Sequence, residues 1–278
     1  MILVTAATGN IGTDLLAQLR ASGVGPVRAL TRDATRAAFP AGVTAVEGSL
    51  TDPVSWAAAL AGVRALFLVP HLGPDADLLR AAREAGVAHT VLVSSITVQT
   101  HPRLAPAAAH RQVEEYLKGS GMGWTILRPT QFASNTYQWA DSIRADATVS
   151  APYADTALPT IDPADIASVA RAALTDPSRH HGHTYALTGP APVSPRHQVA
   201  PNAAARAREV GFTEISREVA HARLAPVYGA EFADAVLDVT GGDVTPELLR
   251  VRDTVEQVTG VPARTFEQWA TEHVAAFR

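Results

Sequence analysis

The chain contains no cysteine, which excludes disulfides, thiolate nucleophiles and cysteine-ligated metal, and which suits a cytoplasmic protein. Lysine is nearly missing too: Lys118 is the only one among 278 residues. Charged residues make up 18% of the chain and the formal charge is -4, so there is no basic field to attract nucleic acid. No apolar run approaches the ~20 residues that cross a bilayer, so no membrane partner is expected. The apolar pattern starts directly after Met1, which leaves no room for a signal peptide. These absences leave an ordinary soluble globular protein with room for a homodimer.

The first half alternates short apolar runs with helical segments. The runs at 2–5, 27–30, 43–46, 65–69, 90–93 and 125–127 are rich in Val, Ile and Leu with little polar alternation. Strands buried on both faces of a parallel sheet read this way. Between them, 11–20, 34–39, 55–60, 76–85 and 107–118 read as helices. Gly23, Gly62, Gly86 and Gly119 sit as C-terminal caps, and Pro53 and Pro106 suit first turns. This order predicts an α/β fold, a Rossmann-like doubly wound parallel sheet with ligands at the carboxyl ends of its strands. Residues 1–129 are expected to form the dinucleotide-binding core. A helix over 165–174, a strand over 184–187, a loop over 189–195 and helices over 195–210, 246–259 and 265–277 follow. They predict a smaller, mostly helical C-terminal substrate lobe, 130–278, which partly completes the core as one structural unit.

The stretch "ILVTAATGNIG" at 2–12 runs from strand through a glycine turn into a helix. Gly9 lets the backbone approach phosphate, Gly12 lets the helix pack on the strand, and the free N–H groups at the helix start face a pyrophosphate. Thr5, Thr8, Gly9, Asn10, Ile11 and Gly12 are the expected cofactor contacts there. Ala6 stands where the first glycine of the pattern belongs; alanine is tolerable if φ is negative and strained if φ is positive. After the second strand, Arg32 occupies the position where NAD sites usually carry an acid. Its forked donors suit a 2′-phosphate, so NADP is expected over NAD. Arg36 lies one turn on. Both arginines read equally as solvated surface charges, and Asp33 either caps the next turn or reaches a ribose.

These motifs resemble the short-chain dehydrogenase/reductase superfamily, and the turn resembles the TGATGxxG variant of its atypical branch. Typical members use a Tyr-x-x-x-Lys pair. Here Glu114 stands four residues before Lys118, and none of Tyr116, Tyr137, Tyr153, Tyr185 and Tyr228 has lysine four residues later. The segment "AHRQVEEYLKGSGMGWTILRPTQFASN" at 109–135 is similar to the NmrA-like family, especially bacterial type 2 NAD(P)H:quinone oxidoreductases. "VLVSS" at 91–95 and "TFEQWATEHVAAF" at 265–277 fit the same pattern. The resemblance covers nearly the whole chain and is weakest at 196–245.

It implies a His-x-x-x-Glu helix, here His110 and Glu114. Four apart, the two share a helix face. A carboxylate beside the imidazole would fix its tautomer and favour its protonated form, so that His110 donates a proton to the acceptor. The plain alternative is a surface pair. Ser94 and Ser95 end the fifth strand; Ser95 either contacts the substrate or nicotinamide, or caps the next turn. Val69, Pro70 and His71 end the fourth strand near the cofactor ribose, with His71 also a substrate candidate. The resemblance implies Pro129, Gln131 and Phe132 beside the nicotinamide and Asn135 near the substrate, with Tyr137 offering a phenol. Phe132 reads equally as core. The "HHGH" cluster at 180–183 matches no zinc spacing and reads as a solvated turn, so no metal is expected.

The expected function is transfer of hydride from NADPH to a small molecule, a quinone or conjugated or aromatic ketone, which needs alignment more than acid–base machinery. A redox sensor that binds the cofactor without turnover is the first alternative. The second is a natural-product tailoring enzyme, whether a reductase or a non-redox cyclase or isomerase.

Overall fold

Each apolar run of the first half is apolar on both faces, so it is buried only where it finds strands beside it and helices above and below. The computed structural model describes residues 1–204 and 210–278. Its main strands in chain order are β1 (Ile2–Val4), β2 (Val27–Thr31), β3 (Val43–Glu47), β4 (Ala65–Leu68), β5 (His89–Val93) and β6 (Gly123–Pro129). A short β7 (Thr148–Ala151), then β8 (His183–Leu187) and β9 (Gly211–Glu214) follow. The sheet has seven parallel strands in the order β3-β2-β1-β4-β5-β6-β8, while β7 pairs with β9 in a separate two-stranded sheet. The order reverses between β1 and β4, the switch point where ligands bind in such sheets.

The helices that position the site are α1 (Asn10–Ala21), α2 (Pro53–Leu60), α3 (Asp75–Glu84), the single turn α4 (Thr97–Thr100), α5 (Ala105–Gly119), α6 (Ala140–Asp146) and α7 (Pro163–Thr175). Leu15, Leu16 and Leu19 of α1 and Ile166, Val169 and Ala170 of α7 bury one face of the sheet. Trp56 of α2, Leu78 and Leu79 of α3, and Val113 and Leu117 of α5 bury the other. The C-terminal half therefore supplies both a strand and a helix to the core. Its own cluster forms around Trp139, Ile143, Val149, Trp269 and Phe277. Buried Asp165 of α7 accepts from the Arg264 backbone N–H at 2.7 Å and holds its guanidinium at 2.5 Å, which anchors the C-terminal segment.

Several expectations change. Residues 34–39 form no helix, because the Asp33 carboxylate accepts from the Thr35 and Arg36 amides and winds a local turn instead. β3 lies at the sheet edge and is only partly buried. Gly119 ends α5 as a helical residue, and Gly121 takes the left-handed conformation, with φ +81°. The helix expected over 195–210 runs Pro195–Ala204, and 205–209 lie outside the described residues. The span 246–259 divides into Pro246–Leu249 and Thr254–Thr259. A hairpin of helices, Arg217–Tyr228 and Ala230–Leu237, was not anticipated. Pro226 within it and the exposed Val219, Val227, Tyr228 and Phe232 blur its amphipathic period.

Candidate active site

β1 delivers the chain into its turn at the switch point. Ala6 adopts φ +47°, the left-handed region that glycine occupies freely, so its methyl carries strain. A Cβ on Gly12 would lie 2.2 Å from the Ala6 carbonyl oxygen; no side chain fits, and α1 packs directly on the turn. Gly9 caps α1 without a side-chain hydrogen bond, and the first turn carries no acid. The N–H groups of Asn10, Ile11 and Gly12 therefore stay open to an anion. Thr8, Gly9 and Asn10 face solvent. The turn fits a dinucleotide pyrophosphate.

Thr5 plays a different part from the one expected. It is fully buried, its hydroxyl donates to the Phe67 carbonyl at 2.9 Å and accepts from the Val69 N–H at 3.2 Å. It joins β1 to β4 instead of meeting a ligand. Asn10 donates to Ser134 at 3.0 Å, which ties the turn to the lobe. Arg32 is exposed and pairs with no described residue. The Asp33 carboxylate is spent on Thr35 and Arg36, and these hydrogen bonds hold it below the usual carboxylate range. It is thus withdrawn from a ribose.

A cavity of about 470 Å³ opens at the carboxyl ends of β4, β5 and β6. Ile11, Val69, Pro70, His71, Ser94, Ser95, His110, Pro129, Gln131, Phe132 and Asn135 line it, so the structure brings these expected residues together. Leu158, Pro159, Val236, Val239, Thr240 and Leu248 line it as well. These come from a loop, from the end of the second hairpin helix (Val236) and from the segment after it, where no sequence motif marks them. Among the described residues no Asp, Glu, Lys or Arg lines this cavity.

His71 adopts φ +64°, and its N–H donates to Asp75 at 2.9 Å. Its ring meets His110 edge to face, 4.6 Å between centroids. Sequence separated the two by a strand and two helices; the fold pairs them. Ser95 accepts from the Thr97 N–H at 3.2 Å, so it caps the turn into α4 while still facing the cavity. Phe132 likewise serves both the wall and the core.

The expected His110–Glu114 couple is corrected. Glu114 is 1% exposed. It accepts from Ser94 at 2.6 Å and from Arg128 Nε at 2.9 Å and Nη2 at 2.6 Å, with Lys118 3.5 Å away. Burial pushes its carboxyl up, but the Arg128 and Ser94 hydrogen bonds and the charges of Arg128 and Lys118 hold it below its ordinary range. Its oxygens are occupied away from the imidazole. Burial, then the neighbouring His71, depresses His110 to about 4 against a weaker pull from Glu114. His110 is therefore neutral at physiological pH, not the imidazolium expected. Its Nδ1 is buried without a partner among the described residues, and Nε2 is the nitrogen left open.

Tyr137 is also corrected. It packs on Trp269 (5.3 Å) and Phe277 (5.9 Å) in the lobe core and lines no part of the cavity, and burial raises its phenol. The 180–183 cluster is less solvated than expected: His180 is buried and its Nδ1 meets the Tyr185 hydroxyl at 2.8 Å. His181 Nδ1 accepts from the Trp124 N–H, and His183 Nδ1 contacts the His181 carbonyl.

The chain matches the NAD(P)H-binding family over residues 6–177. It belongs to that family. The resemblance to NmrA-like reductases read from its sequence stands with it. Among curated relatives it is 38% identical, over 100% of its length and 99% of theirs, to a (4-alkanoyl-5-oxo-2,5-dihydrofuran-3-yl)methyl phosphate reductase of Streptomyces griseus. It is 35% identical to an NAD(P)H azoreductase of Xenophilus azovorans, over 100% of this chain and 99% of that one. An NADPH-dependent quinone oxidoreductase of Escherichia coli superposes with a TM-score of 0.79 at 25% identity, covering 99% of this chain and 98% of that one. The chain is thus a member of a family of NAD(P)H-dependent reductases. Among the described residues, no helix is long and apolar enough to cross a membrane.

Two outcomes follow from this geometry. Glu114→Ala strands the Arg128 guanidinium and costs about 3 kcal/mol in chemical denaturation. Lys118→Ala, at the exposed end of the network, costs under ~1 kcal/mol; equal losses would mean that burial does not set the hierarchy. Ala6→Gly relieves the left-handed strain and stabilises by about 1 kcal/mol, with NADPH affinity in calorimetry kept or improved. A large loss of affinity would show that the Ala6 methyl itself touches the cofactor.

Proposed function

We propose that this protein is an NADPH-dependent reductase of a planar, electron-poor acceptor, a quinone or a conjugated or aromatic ketone. The carrying observation is a cavity that no Asp, Glu, Lys or Arg of the described residues lines, next to the open N-terminus of α1. Such a lining suits an uncharged conjugated ring. The names of the relatives supply conjugated acceptors, an oxo-dihydrofuran that carries a methyl phosphate, an azo compound and a quinone, and so support the conjugated ring and not the lack of charge.

When bound, NADPH supplies hydride to the acceptor, which takes a proton to complete reduction. The chain's own part is to hold and orient. The α1 amides suit the pyrophosphate and Arg32 the 2′-phosphate, while Val69, Pro70 and His71 flank the ribose side and Pro129, Gln131 and Phe132 the nicotinamide side. His110, as a neutral imidazole, offers Nε2 to the acceptor as a hydrogen-bonding group. Ser94, held by Glu114, and Ser95, held by Thr97, present fixed hydroxyl groups at the end of β5. The single lysine, Lys118, is tied to Glu114 and lies over the Trp124 ring, 5.3 Å from its centroid, which supports chemistry without a Tyr-Lys pair. Quinone-type acceptors tolerate this, since the reduced anion takes its proton from water.

Nicotinamide absorbance followed over a panel of quinones tests the reading. Turnover is expected; tight NADP⁺ binding with no turnover of any acceptor would make the protein a cofactor sensor instead. Arg32→Ala is expected to weaken NADPH by about tenfold, the loss of a charge-assisted contact, and NADH hardly at all. Equal effects would sink the assignment to the 2′-phosphate. His110→Ala lowers kcat about tenfold, the value of one hydrogen bond. The folded value of about 4 lies below the ordinary 6.5, so His110 takes its proton only as pH falls toward 4. The kcat profile therefore carries no His110 step between roughly pH 6 and 8. A step near 6.5 that vanishes in the variant would restore the imidazolium role.

A further inference from the structure

The cavity at the strand ends does not stand alone. A second chamber, also about 470 Å³, lies in the lobe, and Gln131, Leu158, Val236 and Thr240 line both. Ser150 of β7 lines one side of this second space and Leu224 of the helix hairpin another. Among the described residues the charged side chains lining it are the exposed Asp146 and Arg223, which mark where it reaches solvent. Its shape is fixed by packing. Arg217 in the first hairpin helix donates to the Tyr153 hydroxyl at 3.2 Å and pairs with Asp234 at 3.0 Å and Asp238 at 2.9 Å. Gly241 sits on the Tyr153 ring so closely that a Cβ would fall 2.1 Å from Cγ. The hairpin is therefore bolted down over a preformed space.

Size decides what such a space is for. Pockets for small ligands span roughly 300–1,000 Å³. The first chamber has to take a nicotinamide as well as the reducing end of an acceptor, which leaves room for little more than one or two fused rings. Gln131 stands in the wall common to both chambers, and its side-chain amide makes no hydrogen bond among the described residues.

We propose that the second chamber is a specificity subsite for an uncharged aromatic or alkyl arm of the acceptor, threaded past Gln131 while the reducible ring stays at the strand ends. The arm passes between Leu158 and Val236, and the Gln131 amide meets polar atoms at the junction. This rests on the reading of the protein as a reductase. It adds that the acceptor is elongated and that the lobe selects it by its arm.

Steady-state kinetics with NADPH test it, using unsubstituted benzoquinone and a benzoquinone carrying a phenylpropyl arm. In the wild type the armed quinone has the higher kcat/KM, chiefly through a lower KM. Ser150→Phe and Leu224→Trp, which fill the chamber from two different elements, lower the ratio of armed to plain kcat/KM by about tenfold, the scale on which apolar pockets discriminate. A second measurement needs no variant. Phenylpropanol, the arm alone, inhibits the armed quinone competitively and leaves benzoquinone turnover unaffected. The subsite is overturned if plain quinone is turned over while the ratio stays within about twofold of wild type in variants that retain NADPH binding. It is equally overturned if phenylpropanol competes with both quinones or with neither. Absence of turnover with either quinone overturns the reductase reading itself, and the subsite falls with it.

Discussion

A carboxylate with almost no contact with water organises this molecule. Burying Glu114 alone would cost several kcal/mol, and only a full set of donors offsets that cost. Arg128 on β6 supplies two, Ser94 after β5 a third, and Lys118 adds its charge from the outer turn of α5. Three elements are thereby locked in one register: the helix that carries Glu114 and the ends of two central strands. His110 lies one turn earlier on the same helix. Its place beside His71 at the end of β4 follows from the anchoring of Glu114, not from any bond between the two. The pair with helical spacing turns out to be an anchor and the side chain that the anchor aims.

A second constraint acts on the backbone. Ala6 and His71 both take left-handed φ values, and they follow β1 and β4, the neighbouring strands where the sheet order reverses. Such conformations cost about 1–3 kcal/mol and persist only where surroundings enforce them. Here the enforcers are visible. The Ala6 carbonyl accepts from the Gly9 N–H at 2.9 Å and lies where a Cβ on Gly12 would fall; the His71 amide is held by Asp75. Strain at the two lips of the switch point shapes the groove between them. At Ala6 a glycine would hold the same shape without the penalty.

What could be read in the sequence follows from how local each signal is. The strands of the core announce themselves because burial on both faces leaves no polar alternation, and the glycine turn because its spacing is fixed within a few residues. Residues 34–39 misled because alanine-rich composition favours helix, while a single Asx turn at Asp33 sufficed to break it. The Glu114–Arg128 bond was invisible, since the partners sit on different elements 14 residues apart and arginine in "WTILRP" carries no mark of its partner. For Tyr137 a phenol near the crossing point suggested chemistry, but Trp269 and Phe277, distant in sequence, claimed it for packing. The wall residues Val236, Val239, Thr240 and Leu248 come from the end of the hairpin and the short turns after it, which carry no motif.

The electrostatics of the two ends differ in kind, and that difference bears on His110. The N-terminus of α1 offers free amides and Arg32 an exposed guanidinium, whereas the cavity at the strand ends is lined by no Asp, Glu, Lys or Arg among the described residues. A nicotinamide ring becomes cationic as it is oxidised, so an imidazolium in the same small space would oppose the reaction it was meant to assist. Burial and the adjoining His71 keep His110 neutral, which removes that opposition. A neutral imidazole retains hydrogen-bonding capacity toward an acceptor oxygen without adding charge. Among the described residues the lobe chamber is lined by charge only at Asp146 and Arg223, both exposed. On the proposed reading an uncharged acceptor would meet no desolvated ion of the described residues along its length, whereas a charged one would have to shed its hydration there.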